Sequence, residues 1–245
     1  MEANRSLVEK PLALRLLSFS SPAKSGWGPF IALLLLAAVL LLTIFSPWIA
    51  THDPLAMDPL NRLKPPSEAH LLGTDNFGRD LFSRMILGGR ISLLIGICTA
   101  VVAITIGVLI GLVAGFFRLA DSIIMRAMDA LMAMPSILIA IALVALNGPS
   151  IGSVIAAITI PEVPRVVRLV RSVILSAQEE PYVEAATALG SSTGKILFQH
   201  LLPNTMAPMI VQGTYIVASA ILTEALLSFL GAGISTETVS YTHLT

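Results

Sequence analysis

Charge is what this sequence most conspicuously lacks. Asp, Glu, Lys and Arg fill 12% of its 245 positions, where a soluble domain carries roughly 25%. Hydrophobic residues make up 55% and the mean hydropathy is +0.85. Such a chain has too little polar surface to clothe a water-soluble globule, and its hydrophobicity equally excludes intrinsic disorder. Nor is there an excess of one sign: 15 basic residues offset 15 acidic ones, so no basic field advertises nucleic acid. The single cysteine, Cys98, rules out an internal disulfide framework and any multi-cysteine metal site. Set in an apolar run, it reads as a buried, inert thiol. His52 with Asp53 and His70 with Asp75 are scattered pairs without the fixed spacing of metal ligands, so no metal and no cofactor is expected. What remains is a membrane protein.

A transmembrane helix needs about 20 mostly apolar residues, and five stretches are candidates. The first is Trp27 to Ala50, with tryptophans near both ends as interfacial anchors. Its long preceding segment and extended apolar run argue against a cleaved signal peptide. The second is Ile91 to Phe117, uncharged between Arg90 and Arg118. The third is Ile123 to Leu146, with Asp129 in its first turns and Pro135 midway, where the missing amide predicts a kink. The fourth, from Ile151, has about ten apolar residues before Pro161, Glu162, Pro164 and Arg165, and reads either as re-entrant or as a helix that leaves the lipid. The fifth is Met206 to Leu230 with one charge, Glu224. Arg5, Lys10, Arg15 and Lys24 precede the first span, which places the N-terminus in the cytoplasm.

Two polar pieces separate the spans. The outer segment 51–90 is proline-rich at first (Pro54, Pro59, Pro65, Pro66) and then predicts a short amphipathic helix. Thr74 or Asp75 would cap it and Gly88-Gly89 would stop it. Leu81, Phe82, Met85 and Ile86 share its apolar face, opposite Arg79, Asp80, Ser83 and Arg84. The second piece, 178–205, falls on the cytoplasmic side. Pro181 suits a helix start, Glu184 suits its positive end, and Gly190 breaks it. A second short helix is expected from Thr193 to Leu202, closed by Pro203-Asn204. Two short helices at a glycine bend make a knob that either docks into a partner or is a plain amphipathic connector.

Catalytic chemistry is missing. Gly190-Ser191-Ser192-Thr193-Gly194-Lys195-Ile196 echoes a phosphate-binding loop, but its glycines are too close and Ile196 stands where magnesium needs Ser or Thr. Gly148-Pro149-Ser150-Ile151-Gly152 spells a nucleophile elbow yet joins two membrane spans. No enzyme is expected. Gly107, Gly111 and Gly115 recur on one face of the second span and predict close helix packing. Glu224 is a candidate for the substrate path, or a structural hydrogen-bonding group. Asp129 and Pro135 are further path or structural candidates, with Asp129 expected to pair with Arg126 or a neighbour.

The 178–205 loop resembles the EAA signature of ABC importer permeases. Glu184-Ala185-Ala186, Gly190 and Leu202-Pro203 fall in its register, and His200 with Leu202-Pro203-Asn204 is similar to the peptide and nickel branch. Also similar to that branch are His70-Leu71-Leu72-Gly73-Thr74-Asp75, Gly78-Arg79-Asp80, Gly89-Arg90-Ile91-Ser92-Leu93, Met125-Arg126 with Asp129 and Pro135, and Leu227-Ser228-Phe229-Leu230-Gly231. The likeness extends over residues 27 to 234. It implies an all-α polytopic bundle of the type I importer permease kind, with five spans of an expected six. Residues 1–26 would be a cytoplasmic segment, 27–50 the first span, 51–90 an extracytoplasmic loop, and 91–234 the permease core. Residues 235–245 bear no likeness to the family, so the chain is expected to be truncated before its last span.

The resemblance further implies a multi-pass protein of a bacterial or archaeal cytoplasmic (inner) membrane. A second permease, two ATPase subunits and an extracytoplasmic solute-binding protein would be its partners. Its cargo would be a dipeptide, an oligopeptide or nickel. The knob, with Tyr182, Glu184, Ala185, Ala186, Gly190, His200, Leu202, Pro203 and Asn204, would couple the path to the ATPases, which alone would hydrolyse ATP. The rival is an ion-coupled secondary carrier working through Glu224 and Asp129, which would show broken helices in two related halves. A membrane scaffold assembling through the second span is a third class.

Overall fold

The computed structural model describes residues 27–233. The readings made for residues 1–26 and for the 235–245 tail fall outside that range. Among the described residues the fold is all helical, apart from one isolated bridge between Thr74 and Asp80. The chain divides into two compact units, Met1–Arg90 and Ile91–Thr245.

In the first unit, helix α1 (Gly28–Ile44) exposes nearly all of its apolar side chains, as a lipid-facing helix does. Near its end the Thr43 hydroxyl donates back to the Val39 and Leu40 carbonyls (2.9 and 3.0 Å). A short helix α2 (Ser46–Ile49) follows. The four prolines of the outer segment leave only a 3-10 turn, Pro59–Asn61, where the Asp58 carboxylate accepts from the Leu60 amide. Two glycines fold this segment on itself. Gly73 and Gly78 have φ of +78° and +75°, and a Cβ on Gly78 would stand 1.7 Å from the Asp58 carbonyl oxygen. Asp75 organises the turn between them, accepting from the Phe77 and Arg79 amides and from Arg79 Nε (2.8, 3.0 and 2.8 Å). Partial burial opposes ionisation of Asp75, but these bonds outweigh it and hold its carboxyl below the usual range.

The cap of the next helix is neither Thr74 nor Asp75. Asp80 Oδ2 accepts the Ser83 amide at 2.8 Å, and α3 starts at Leu81. It does not stop at Gly88-Gly89 either: α3 runs 36 residues to Phe116. Each glycine costs about 1 kcal/mol in a helix, too little to break a segment whose backbone must bond internally where it enters lipid. Gly89 also lets Thr43 come close, since a Cβ there would lie 3.0 Å from Thr43 Cγ2. The expected amphipathic facing is partly inverted. Asp80 and Ser83 are buried by their hydrogen bonds, while Leu81 and Met85 are exposed.

The second unit is built on α6 (Ile151–Gln178), which carries Pro161 and Pro164 without interruption. Of the two readings of the fourth stretch, the continuous helix is the one observed. Around α6 pack α4 (Arg118–Met132), α5 (Ser136–Asn147) and α9 (Leu202–Phe229). Pro135 does more than kink the third stretch: α4 and α5 are bent 86° to each other. Pro135 lacks an amide and has an extended ψ of 126°, so helix ends before it and begins anew after it.

The glycine face of α3 meets α6 directly. A Cβ on Gly107 would lie 2.5 Å from Val166 Cβ, one on Gly111 2.7 Å from Val170 Cβ, and one on Gly115 2.7 Å from Ile174 Cβ. Val166, Val170 and Ile174 are wholly buried in this seam. A second cluster joins Ile95, Val144, Val154, Ile158, Ala220 and Leu227. Cys98 is half-buried rather than buried.

By length and hydropathy, α3 and the continuous run Thr193–Phe229 can each cross a membrane, and the bent pair α4–α5 makes a third span if counted as one. Helix is present at all five expected places. Large outward apolar side chains, among them Val101, Leu109, Ile210, Val211 and Leu222, are more than half exposed, which water would not tolerate over so wide an area.

Candidate functional site

The polar knob is assembled from the end of α6 and the start of α9. Helix α7 (Pro181–Ala188) opens with proline at its first position, where an absent amide costs nothing, and has Glu184 in its first turn. It ends in a Schellman arrangement: the Ser191 amide donates to the Ala186 carbonyl and the Gly190 amide to that of Thr187, both at 3.0 Å. Gly190 has φ +74° with open space about it. Backbone conformation, not crowding, therefore requires glycine here.

After the bend a single turn α8 (Thr193–Lys195) leads into a π-helical turn, Ile196–Leu201, and then without a stop into α9. Pro203 and Asn204 were expected to close the second helix; instead they lie within its continuation. Pro203 sits in the first turn of α9, where an absent amide is tolerated. The wider π turn immediately before it is a common device for such a mismatch.

The knob's two arms are tied together. Asn204 Nδ2 donates to the Tyr182 hydroxyl (2.8 Å) and to the His200 carbonyl (2.6 Å), and the Tyr182 and His200 rings are 6.3 Å apart between centroids. Val183, Ala186, Ile196 and Leu201 are buried beneath this clasp. Glu184 and Ala185 are exposed, as are Leu189 (87%) and Phe198 (60%). Leu202 is half-buried and Pro203 exposed. Beside the clasp lies a cleft of about 560 Å³, lined by Ser172, Ser176, Glu180, Tyr182 and Asn204 among others.

Sequence reasoning missed the brace that connects this knob to the bundle. Arg171 of α6 grips Asp121 of α4 with two nitrogens (2.5 and 2.7 Å). Arg168 of the neighbouring α6 pairs with Asp129 at 2.5 Å, so of the two expected partners it is the neighbour and not Arg126. Gln178 donates to the Gly115 carbonyl at 2.9 Å, joining the foot of α6 to the end of α3. The i, i+3 rhythm of Arg165, Arg168 and Arg171 on one face was the available signal. The acidic partners of Arg168 and Arg171, Asp129 and Asp121, lie too far along the chain for spacing to reveal them.

Two carboxylates of the spans have structural partners. Glu224 accepts from Ser228 (2.8 Å) and Ser92 (3.3 Å), and buried Glu162 accepts from Arg165 (2.7 Å) and Ser219 (3.3 Å). Pro135, the remaining candidate, marks the α4–α5 break.

Residues 103–242 match the family of binding-protein-dependent transport system inner membrane components. The chain is 50% identical over 201 residues to a probable peptide ABC transporter permease of Sinorhizobium fredii, covering 82% of this chain and 69% of that one. It is 44% identical to the dipeptide transport system permease DppC of Alkalihalophilus pseudofirmus, covering 83% and 67%. Against the oligopeptide transport system permease OppC of Bacillus subtilis it is 38% identical, covering 86% and 70%. The chain belongs to the family of binding-protein-dependent transport system inner membrane components. It is a multi-pass permease subunit, a transport component and not an enzyme.

Proposed function

We propose that this permease forms half of the translocation path of a peptide importer and is driven by ATPase subunits through the knob at 181–204. The observation that carries the reading is the clasp. Asn204 at the head of α9 holds Tyr182 and the His200 carbonyl, which ties α7 to the start of α9. A helix seated in an ATPase cleft would thereby pull on two long helices at once. The Arg171–Asp121 and Arg168–Asp129 pairs and the Gln178 contact then pass that pull to α4 and α3.

In this scheme Glu184, Ala185 and Gly190 face or shape the docking helix, and Leu189 and Phe198 supply its apolar contact. Residues 1–26 and the knob lie in the cytoplasm, and 51–90 outside, under a solute-binding protein. A second permease completes the path, against the outward apolar faces of the bundle, and the pair sits above two ATPase subunits. Closure of the ATPases on ATP shifts the population from inward-open to outward-open. The relatives named above are peptide permeases, which favours di- or oligopeptides over nickel as cargo. Glu224 and Asp129 are engaged by Ser228, Ser92 and Arg168, which supports a bracing role for them in this scheme.

Uptake of a labelled peptide into proteoliposomes containing permeases, ATPases and binding protein tests this directly. Uptake is expected to require ATP hydrolysis and to survive an uncoupler. Uptake that survives ATP depletion but collapses with the uncoupler would overturn the proposal in favour of an ion-coupled carrier.

A further inference from the structure

Three segments separated in sequence converge in the outer part of the first unit. His52 follows α2, His70 lies in the proline-rich segment, and Asp80 caps α3. One ligand atom from each lies within 4.8 Å of the other two. The His52 and His70 rings are 4.7 Å apart between centroids, and His70 Nδ1 stands 3.0 Å from Asp80 Oδ1.

Both ends of this cluster are held in place. The His52 amide donates to Ser83 Oγ at 3.2 Å, fixing it over the first turn of α3. Thr51 Oγ1 lies 3.1 Å from His52 Nδ1, which leaves Nε2 as the free donor. Asp80 is 2% exposed, and its Oδ2 is taken by the Ser83 amide, so Oδ1 is the oxygen on the histidine side.

We propose that His52, His70 and Asp80 form a binding site for one divalent d-block cation of the Zn²⁺ type. Two imidazoles and one carboxylate are a donor set that suits zinc, copper or nickel, whereas Ca²⁺ and Mg²⁺ want oxygen ligands. Three protein donors leave room for water in a tetrahedral site. Thr51 and Ser83 occupy the supporting positions that orient metal ligands. The bound ion would staple the chain after α2, the proline-rich segment and the start of α3 into one piece. The pattern escapes sequence reading because the partners of each histidine are not the neighbouring aspartates, Asp53 and Asp75, but Asp80.

The test is a titration of the full-length permease in nanodiscs. The protein would be purified without a histidine tag, stripped with chelator and titrated with Zn²⁺ alone. One ion per chain is expected, at micromolar concentration or tighter, with X-ray absorption showing imidazole nitrogen ligands. His52→Ala, at an exposed position, and His70→Ala should each weaken binding by about tenfold or more. Absence of saturable binding, or binding unchanged in His52→Ala, overturns the proposal and leaves a stacked histidine pair on a capping aspartate. Should His70→Ala misfold, judged by size exclusion, His52→Ala and the absorption spectrum decide.

Discussion

Replacing Gly107 by leucine is expected to abolish the folded permease, and replacing it by alanine to cost about 1–3 kcal/mol. Even the alanine Cβ would stand 2.5 Å from Val166 Cβ and Cγ1, both in a fully buried residue. Helices α3 and α6 would have to separate along the seam that Gly111–Val170 and Gly115–Ile174 continue. In lipid, where no hydrophobic force pushes helices together, that loss of close packing has little to offset it. Size-exclusion yield from membranes and thermal unfolding check the prediction, with a fall of about 2–4 °C per kcal/mol. Moving the glycine across the seam, Gly107→Ala with Val166→Gly, should recover part of the loss. If Gly107→Leu accumulates and melts like the parent, the seam is not what holds α3 to α6.

The second large effect is on transport rather than folding. Ala186 is 8% exposed beneath the Tyr182–Asn204 clasp. Ala186→Glu would bury a charge without a partner, a cost of several kcal/mol that the knob can escape only by opening. Val183, Ile196 and Leu201 share one core with the Val166–Ile174 seam, but Ala186 stands outside that core, so opening is expected to stay local. ATP-driven peptide uptake should fall by more than about tenfold while the amount of permease in the membrane changes less than about twofold. Normal uptake in Ala186→Glu would mean that the ordered knob is not the coupling element.

Sequence and structure diverge most at the element ends. Hydropathy located the helices because every spanning backbone must satisfy itself internally, and apolar length is the direct record of that demand. The glycine face of α3 was legible for the same reason, since a four-residue repeat of small side chains has few other uses in a membrane. Local breakers misled. Gly88-Gly89 and Pro203 carry modest local penalties, and α3 and α9 run through them. Pro135 carries a similar penalty, yet there α4 and α5 part by 86°. Pro203 stands in the first turn of α9 after a π turn, whereas Pro135 takes an extended ψ of 126° between two helices.

Within the knob, Pro181 and Gly190 were readable because proline fixes φ and glycine alone readily adopts a positive one. The clasp from Asn204 to Tyr182, the Arg171–Asp121 and Arg168–Asp129 braces, and the convergence of His52, His70 and Asp80 were not. All are contacts between segments far apart in sequence, for which one chain offers spacing but no distance.

Disulfide cross-linking between the knob and the ATPase subunits tests the coupling claim most directly. With Cys98 replaced, single cysteines belong at Leu189 and Thr193, both exposed on the knob. Ala186 is too buried to report on a partner. The account predicts a cross-link to an ATPase from at least one position, with a yield that changes when ATP is added. No cross-link from either position, in membranes where permease and ATPases purify together, would contradict it.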